Sequence, residues 1–410
     1  MADEKRARSI VLLNRFYWPD AAATSQMLTD LAEDLAAAGW QVTVLTGRST
    51  YALATDARPN TEERRGVRIV RVWGTRLGND SLPKRAIDYL SYVAGALCTL
   101  LRTPAQDVVA AMTDPPMLAA LAIVVTRVKG GKSVYWLQDL YPQLAGRLGA
   151  IGERTLLYRI LFRFARWVHA HCDLIIAVGP RLAREAMASG ARPERTAVVH
   201  NWTDTHAVRP IARAENDFLR EHGLVDSFVV LYSGNAGRAH TFDAVMEAAR
   251  RLRNDPEVVF LFVGSGKAIA GLRGIVEREM LPNVRFLGYV ERDRLSMSLS
   301  SASVSLVTER PEVVGLLVPS KTYAVLASAR PMIYLGPKDS DAAEIVRQTG
   351  SGFVIEPDDV GTLIQVIERL RSNPAEASAI GARGRAIAVA TYDRRHGTRQ
   401  WGEAVLALLG

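Results

Sequence analysis

The chain has 410 residues, of which 48% are hydrophobic, so it can bury two ordinary domain cores. Its net charge of +8 favours an anionic partner, such as a phosphorylated ligand or an anionic lipid surface. The basic residues are dispersed and no nucleic-acid-binding motif is recognisable, so we expect no nucleic-acid partner. Cys98 and Cys172 stand in apolar stretches and are predicted to be buried thiols of a reducing compartment.

In the first half of the chain, apolar runs rich in β-branched residues alternate with helical patterns. The predicted strands are 10–13, 41–45, 67–72, 108–111, 133–137, 174–178 and 196–199. The first run is too short for a signal peptide. Strands separated by helices imply right-handed crossovers and a parallel sheet, whose ligands lie beyond the carboxyl ends of the strands.

The second half repeats this alternation, with predicted strands 228–232, 258–263, 284–287, 304–307, 332–335 and 352–355. After the first of these strands comes the small-residue turn Ser233-Gly234-Asn235-Ala236-Gly237, which leads into a helical pattern. Such a turn lets backbone N–H groups approach an anion. Arg238 ends the turn and is predicted to open the helix, where its planar guanidinium suits a phosphate. The alternative is an ordinary loop with a solvated arginine.

Pro319-Ser320-Lys321 begins a second informative stretch, a predicted helix over 321–329. Proline suits a first helical turn, and Ser320 is expected to cap it. Lys321 is unusual there, because a cation in the first turn opposes the helix dipole unless an anion lies nearby. An exposed lysine that is merely tolerated is the alternative.

The segment 154–167 predicts an amphipathic helix. Arg159, Arg163 and Arg166 share one face, and Leu, Phe and Trp167 cover much of the remainder. This pattern is typical of a helix that lies in the headgroup plane of a membrane. A core helix whose arginines face water is the alternative.

The stretch SGN-x-GRA, followed by VPSK-x-Y-x-x-LA-x-x-RP-x-I, resembles the C-terminal domain of family 4 glycosyltransferases. Within that family it is most similar to the subgroup that extends lipid-linked sugars in bacterial polysaccharide assembly. The resemblance implies an α/β fold of the GT-B type, with two Rossmann-like, doubly wound parallel-sheet domains and an interdomain cleft. It places an acceptor-binding domain at 1–200 and a nucleotide-sugar-binding domain at 201–392, with the helix 393–410 returning to the first domain.

The resemblance also implies a reaction. A hexosyl or N-acetylhexosaminyl group would move from a nucleotide-diphosphate sugar, here expected to be UDP-linked, to a polyprenyl-diphosphate-linked sugar. The anomeric configuration would be retained, and no cofactor or obligatory metal would be needed. The enzyme would work in the cytoplasm, peripherally attached to the inner face of the cytoplasmic membrane.

The residues at positions that match the family's motifs are expected to have the roles that those motifs have in the family. Arg238 and Lys321 would stabilise the leaving diphosphate, and Asp139, after the strand 133–137, would orient or deprotonate the acceptor hydroxyl. Capping of the following turn is an equally consistent interpretation of Asp139. The other expected donor-binding residues are Ala22, Ala23, Thr24, Gly234, Asn235, Gly237, His240, Gly264, Gly266, Tyr289, Val290, Pro319 and Ser320.

The sequence departs from the family in three places. Ala22 and Ala23 replace a Gly-Gly pair, His240 stands near the position of a missing lysine, and Ala324 replaces the second of two glutamates. Glu309 or Glu312 could meet the sugar hydroxyls, and the sequence does not choose between them. The alternatives are a nucleotide-sugar epimerase of similar build and a non-catalytic sugar-binding or scaffold protein at the membrane surface.

Overall fold

The computed structural model describes residues 6–20, 22–48, 59–78, 82–116 and 118–410. These residues form two compact units. Unit 1 contains the described residues up to Gly146 together with Ile151–His200 and Arg395–Gly410. Unit 2 contains Arg147–Ala150 and Asn201–Arg394.

Unit 1 is built on an eight-stranded sheet. Its strands are β1 (Ser9–Leu13), β2 (Gln41–Thr46), β3 (Thr61–Arg64), β4 (Val67–Arg71), β5 (Val108–Ala111), β6 (Lys132–Leu137), β7 (Leu174–Ala177) and β8 (Thr196–Val198). The helices between them are α1 (Ala23–Ala37), α2 (Leu82–Arg102), α3 (Leu118–Lys129), α4 (Gln143–Arg147), α5 (Leu156–His171) and α6 (Pro180–Ala188).

The strand order of unit 1 is β3-β4-β2-β1-β5-β6-β7-β8, and every pairing is parallel except that of β3 with β4. Ile10 in β1 lies opposite Val42 on one side and Val108 on the other. The direction of winding reverses between β1 and β5, so the crevice of this unit lies beyond the carboxyl ends of those two strands.

Unit 2 has a six-stranded, fully parallel sheet. Its helices and strands, in chain order, are α7 (Asp217–Glu221), β9 (Phe228–Ser233), α8 (Asp243–Arg251), β10 (Val258–Val263), α9 (Lys267–Glu279), β11 (Val284–Leu287), α10 (Leu295–Ser300), β12 (Val304–Thr308), α11 (Lys321–Ala327), β13 (Met332–Leu335), α12 (Asp341–Thr349), β14 (Gly352–Ile355), α13 (Val360–Ser372) and α14 (Pro374–Ala390). The final helix, α15 (Arg394–Leu409), returns the chain to unit 1.

The strand order of unit 2 is β11-β10-β9-β12-β13-β14, so its winding reverses between β9 and β12. All six residues of β10 are buried, because helices cover both faces of the sheet. Val230 and Phe260 belong to the core on one face, and Leu231 and Leu261 belong to the core on the other. This separation follows from the two-residue period of a strand.

The structure confirms the predicted α/β fold and places the predicted strands within about two residues of their expected ends. The antiparallel strand β3 was not predicted, because its sequence TEER is too polar to be recognised as a strand. The prediction for Cys98 was wrong: it is exposed on α2, whereas Cys172 is buried as expected. Cys98 belongs to the amphipathic helix α2, so apolar neighbours in sequence did not mean burial.

Candidate functional site

Two glycine-containing loops touch through their backbones at the carboxyl ends of β9 and β10. A Cβ atom added to Gly264 would lie 2.4 Å from the carbonyl oxygen of Gly234, and one added to Gly266 would lie 2.4 Å from that of Ala236. Both positions also have positive φ angles, which favour glycine. The Ala236 amide donates to the Ser265 carbonyl at 2.7 Å. The two predicted donor loops therefore form one backbone platform.

The side chain of Lys321 reaches this platform from the start of α11. Its amine contacts the Tyr232 hydroxyl, lies 3.3 Å from Nε2 of His240, and stands 3.9 Å from the centre of the Tyr232 ring. A Cβ atom on Gly234 would lie 3.7 Å from Cε of Lys321. The contacts therefore join residues from the switch-point strand β9, the loop after it and the helix after β12.

Electrostatics make this cluster receptive to an anion. Part of the Lys321 side chain reaches the surface, but its amine is desolvated, and this lowers its pKa to about 7. Burial and the neighbouring lysine lower the pKa of His240 to about 3, so its ring is neutral. Nδ1 of His240 donates to the Thr308 carbonyl at 2.6 Å, which leaves Nε2 as an acceptor. Within the described residues, Lys321 has no carboxylate partner.

Arg238 lies in the same loop as Gly234, but the prediction that it opens a helix was wrong. The chain turns once more after Gly237, where the His240 amide donates to the Gly237 carbonyl at 3.3 Å, and α8 begins only at Asp243. The Arg238 side chain is exposed. The sequence pattern missed this extension because the apolar period of α8 begins with Phe242, which is the residue before the helix.

The two candidate glutamates have different surroundings. Glu309 follows β12 directly and is buried, and its Oε2 accepts a hydrogen bond from the Tyr334 hydroxyl at 2.5 Å. Glu312 lies in the short 3₁₀ turn Pro311–Val313, is exposed, and stands 3.8 Å from the guanidinium of Arg310. Glu309 is thus held within unit 2, whereas Glu312 faces solvent.

The other predicted donor residues of unit 2 follow the same sheet edge. Asn235 is exposed and Gly237 half-buried in the loop after β9. Tyr289, after β11, is 53% exposed, and Val290 packs against the core. Pro319 is buried and Ser320 is the first flanking residue of α11, but Ser320 makes no side-chain cap, contrary to expectation, because its backbone is already helical.

The predicted first loop of unit 1 leads into α1. Ala22 is its N-cap residue and Ala23 its first helical residue, and no side chain of the described residues caps the helix. Instead, the Ala22 amide donates to Oδ1 of Asp20 at 3.0 Å. Ala23 is exposed and Thr24 is half-buried.

Asp139 lies beyond the carboxyl end of β6 and is half-buried. Within the described residues its carboxylate has no hydrogen bond or ion pair, so the capping interpretation receives no support. Burial raises the pKa of Asp139 to about 7, and the charge of Asp114 contributes in the same direction. Burial also raises the pKa of Asp114 to about 6, against the opposing effects of Arg15, Arg85 and the Tyr89 hydroxyl.

The sequence analysis did not identify Asp114, although one signal was present. Asp114 follows the fully buried strand β5 by three residues, at the switch point of the unit 1 sheet. Arg15 follows β1 on the other side of that point and is buried, with its guanidinium 3.5 Å from Asp88 and 5.1 Å from the centre of the Tyr89 ring. Asp114 and the paired Arg15 thus lie at the switch point, where ligands of such sheets bind, and Asp139 lies at the end of the neighbouring strand β6.

The predicted membrane helix is α5, which Thr155 caps by accepting from the Tyr158 amide at 3.2 Å. Arg159, Arg163 and Arg166 are all exposed. The exposed apolar residues beside them are Leu156 (72%), Leu157 (55%) and Ile160 (55%). Trp167 is half-buried and stacks between Phe164 and His171. None of the helices in the described ranges has the length and apolar character to span a bilayer.

Two family models match the chain in tandem. A glycosyl transferase 4-like domain matches residues 23–202, and a glycosyl transferases group 1 domain matches residues 227–373. WbjE of Pseudomonas aeruginosa, named as a glycosyltransferase, is 22% identical over 74% of this chain and 75% of its own. WcaI of Escherichia coli K12, named as a glycosyl transferase of colanic acid biosynthesis, is 23% identical over 94% of this chain and 96% of its own.

A solved structure shows the same fold. HepE of Anabaena, solved in complex with UDP and glucose, superimposes with a TM-score of 0.75 at 18% identity and covers 98% of this chain and 100% of its own. The tandem domain matches and the two doubly wound parallel sheets lead to one family. The chain is a glycosyltransferase of the GT-B fold, with a glycosyl transferase 4-like domain followed by a glycosyl transferases group 1 domain.

Proposed function

We propose that the chain transfers a sugar from a UDP-sugar to a polyprenyl-diphosphate-linked sugar, with retention of configuration, in bacterial cell-surface polysaccharide assembly. The name of WcaI supports the pathway class, and the complex of HepE with UDP and glucose supports the donor class. The observation that carries the proposal is the amine of Lys321, which has no carboxylate partner among the described residues and lies beside the glycine platform of unit 2.

In this proposal the platform holds the donor diphosphate. Gly234 has no side chain and leaves room for the diphosphate beside Lys321, while Gly264 lets the two loops touch. Lys321 and the exposed Arg238 supply positive charge. Negative charge develops on the diphosphate as the glycosidic bond breaks, so both cations act most strongly in the transition state. Glu312 or Glu309 would meet the sugar hydroxyls.

Unit 1 would bind the acceptor. Asp139 has a pKa of about 7, so much of it is ionised near neutral pH, and it has a carboxylate that no described group occupies. Such a group is suited to accept a proton from the acceptor hydroxyl, because a base works best when its pKa lies near the working pH. Arg15 is already paired with Asp88, and its positive charge favours the ionised form of Asp114.

A lipid-linked acceptor requires contact with a membrane surface. On α5, exposed arginines alternate with exposed Leu156, Leu157 and Ile160. Helix α3 packs against both α2 and α5. Helices α2 and α3 add further exposed apolar side chains: Ile87, Leu90 and Leu101 on α2, and Val124 and Val128 on α3. Apolar side chains flanked by basic ones suit an anionic lipid surface, such as the inner face of the cytoplasmic membrane.

The direct test of the proposed function is a donor panel followed by a transfer assay. UDP and UDP-sugars should raise the melting temperature more than ADP or GDP compounds, because a ligand of the native state stabilises it. Transfer should then need a polyprenyl-diphosphate-linked sugar. Epimerisation of free donor would support an epimerase, and binding without turnover would support a scaffold protein; either result would refute the transferase proposal.

Changing Arg159, Arg163 and Arg166 together to Gln should weaken binding to anionic vesicles. Each basic residue near such a surface contributes roughly 1 kcal/mol, so partitioning should fall by about 100-fold at low salt. A matched control changes Arg209, Arg253 and Arg278, exposed arginines of unit 2, to Gln and removes the same charge. Equal partitioning of the two triple variants would mean that α5 does not lie on lipid.

A further inference from the structure

Tyr232 joins the two parts of the donor platform through one hydroxyl group. This hydroxyl accepts a hydrogen bond from the amine of Lys321 and donates one to the Asn235 carbonyl at 3.0 Å. The first contact leads to the start of α11, and the second to the loop after β9. One side-chain oxygen therefore connects the cation to the backbone that approaches the diphosphate.

The ring of Tyr232 has little freedom to move. It is fully buried and packs edge-on against Phe242, with ring centres 4.8 Å apart, and against His240 at 5.8 Å. The face of the ring lies under the Lys321 amine. The hydroxyl is consequently held in place by the core of unit 2.

Among the residues that the structure describes, the Lys321 amine is held by neutral groups alone. An ammonium has three N–H donors, and Tyr232 and His240 take two of them. The remaining donor is beside Gly234, whose missing side chain leaves space there. No negative charge of the described residues therefore favours the protonated form of this amine.

Other ionisable groups on the elements around α11 are engaged elsewhere. On α14, Arg385 donates to the Ala327 carbonyl at the far end of α11, and Glu376 pairs with Arg369. Glu309, after β12, accepts from Tyr334. Tyr232 and His240 are therefore the ionisable groups in contact with the Lys321 amine within the described residues.

We propose that Tyr232 is a positioning residue of the donor site, which holds Lys321 against the loop after β9 so that a bound nucleoside diphosphate draws a proton from solvent onto the Lys321 amine. This inference rests on the proposed function and adds two features to it: a residue that positions the cation, and a proton that accompanies the diphosphate. The diphosphate supplies the missing negative charge, so the protonated amine becomes the favoured form.

Calorimetry of UDP binding in buffers of different ionisation enthalpy measures the number of protons that the protein takes up for each UDP bound. Because the pKa of free Lys321 is about 7, the wild type should take up close to one proton per UDP at about pH 8 and little at about pH 6. Lys321→Met should abolish the uptake. Tyr232→Phe should weaken UDP binding by about tenfold, and uptake should persist to lower pH, because the free amine loses an acceptor that favours its charge.

Tyr323→Phe is the matched control, since it removes a buried hydroxyl of the same unit that has no described partner. It should leave UDP affinity and proton uptake unchanged. UDP binding without proton uptake at about pH 8 would overturn the inference but leave the proposed function standing, and so would a Tyr232→Phe variant that behaves as wild type. No UDP binding at all would overturn both. If Tyr232→Phe does not fold, the wild type and Lys321→Met still decide the proton uptake.

Discussion

Replacing Lys321 by methionine should lower turnover by about 10²- to 10³-fold while making the protein more stable. The loss follows from removing a charge that acts on the leaving diphosphate in the transition state. Below pH 7 the gain in stability should be roughly 1–4 kcal/mol, because methionine fills the same space without a desolvated amine. Steady-state kinetics and thermal unfolding of the same preparation measure both effects.

The stability gain should depend on pH in a defined direction. The pKa of Lys321 is about 7 in the folded chain, against an ordinary value of 10.5. Between these values the unfolded chain binds more protons, so wild-type stability should rise with pH across that window. The methionine variant lacks this rise, and its advantage should be largest below pH 7 and vanish near pH 10.5.

Lys132→Met is the control for this prediction, because Lys132 is exposed at the start of β6 in unit 1. It should change neither turnover nor the pH dependence of unfolding. A Lys321→Met variant with near-normal turnover would remove the lysine from the donor site.

Asp139→Asn should reduce turnover by about 10²-fold or more and leave UDP affinity unchanged. In the wild type the rate should rise with pH through about 7, as Asp139 loses its proton and becomes a base. The asparagine variant should lack this rise. Asp114→Asn should move the midpoint of the wild-type profile to lower pH, because the charge of Asp114 helps to raise the pKa of Asp139.

Unfolding measurements give a second test of Asp139. Its pKa is raised from 3.8 to about 7 in the folded chain, so the folded state binds more protons between these values. The free energy of unfolding of the wild type should therefore fall as pH rises from 3.8 to about 7. Above this window, Asp139→Asn should be more stable than the wild type. Asp358→Asn, at an exposed position of unit 2, should show neither effect. Normal turnover in Asp139→Asn would make the residue structural.

Some site residues could be predicted because their signal is local. A glycine after a buried strand, as at Gly234 and Gly264, indicates close approach by another group. In the structure the Gly234 carbonyl oxygen lies where a side chain of Gly264 would stand, and the Lys321 side chain lies beside Gly234. Lys321 could be singled out because a cation in the first turn of a helix opposes the helix dipole unless an anion lies nearby. Tyr232 and Asp114 gave weaker signals, since a tyrosine at the end of an apolar strand resembles any core residue and an aspartate before proline resembles any turn.

The alternation of apolar runs and helical patterns was sufficient to derive two parallel α/β sheets and nearly all strand ends, because a strand buried on both faces must be continuously apolar. Contacts between residues that are distant in the chain could be identified only from the folded structure. Tyr232 and Lys321 are 89 residues apart, and Arg15 and Asp88 are 73 apart. The pKa values of Lys321 and Asp139 depend on such contacts, because desolvation and neighbouring charges arise only when the strands are side by side.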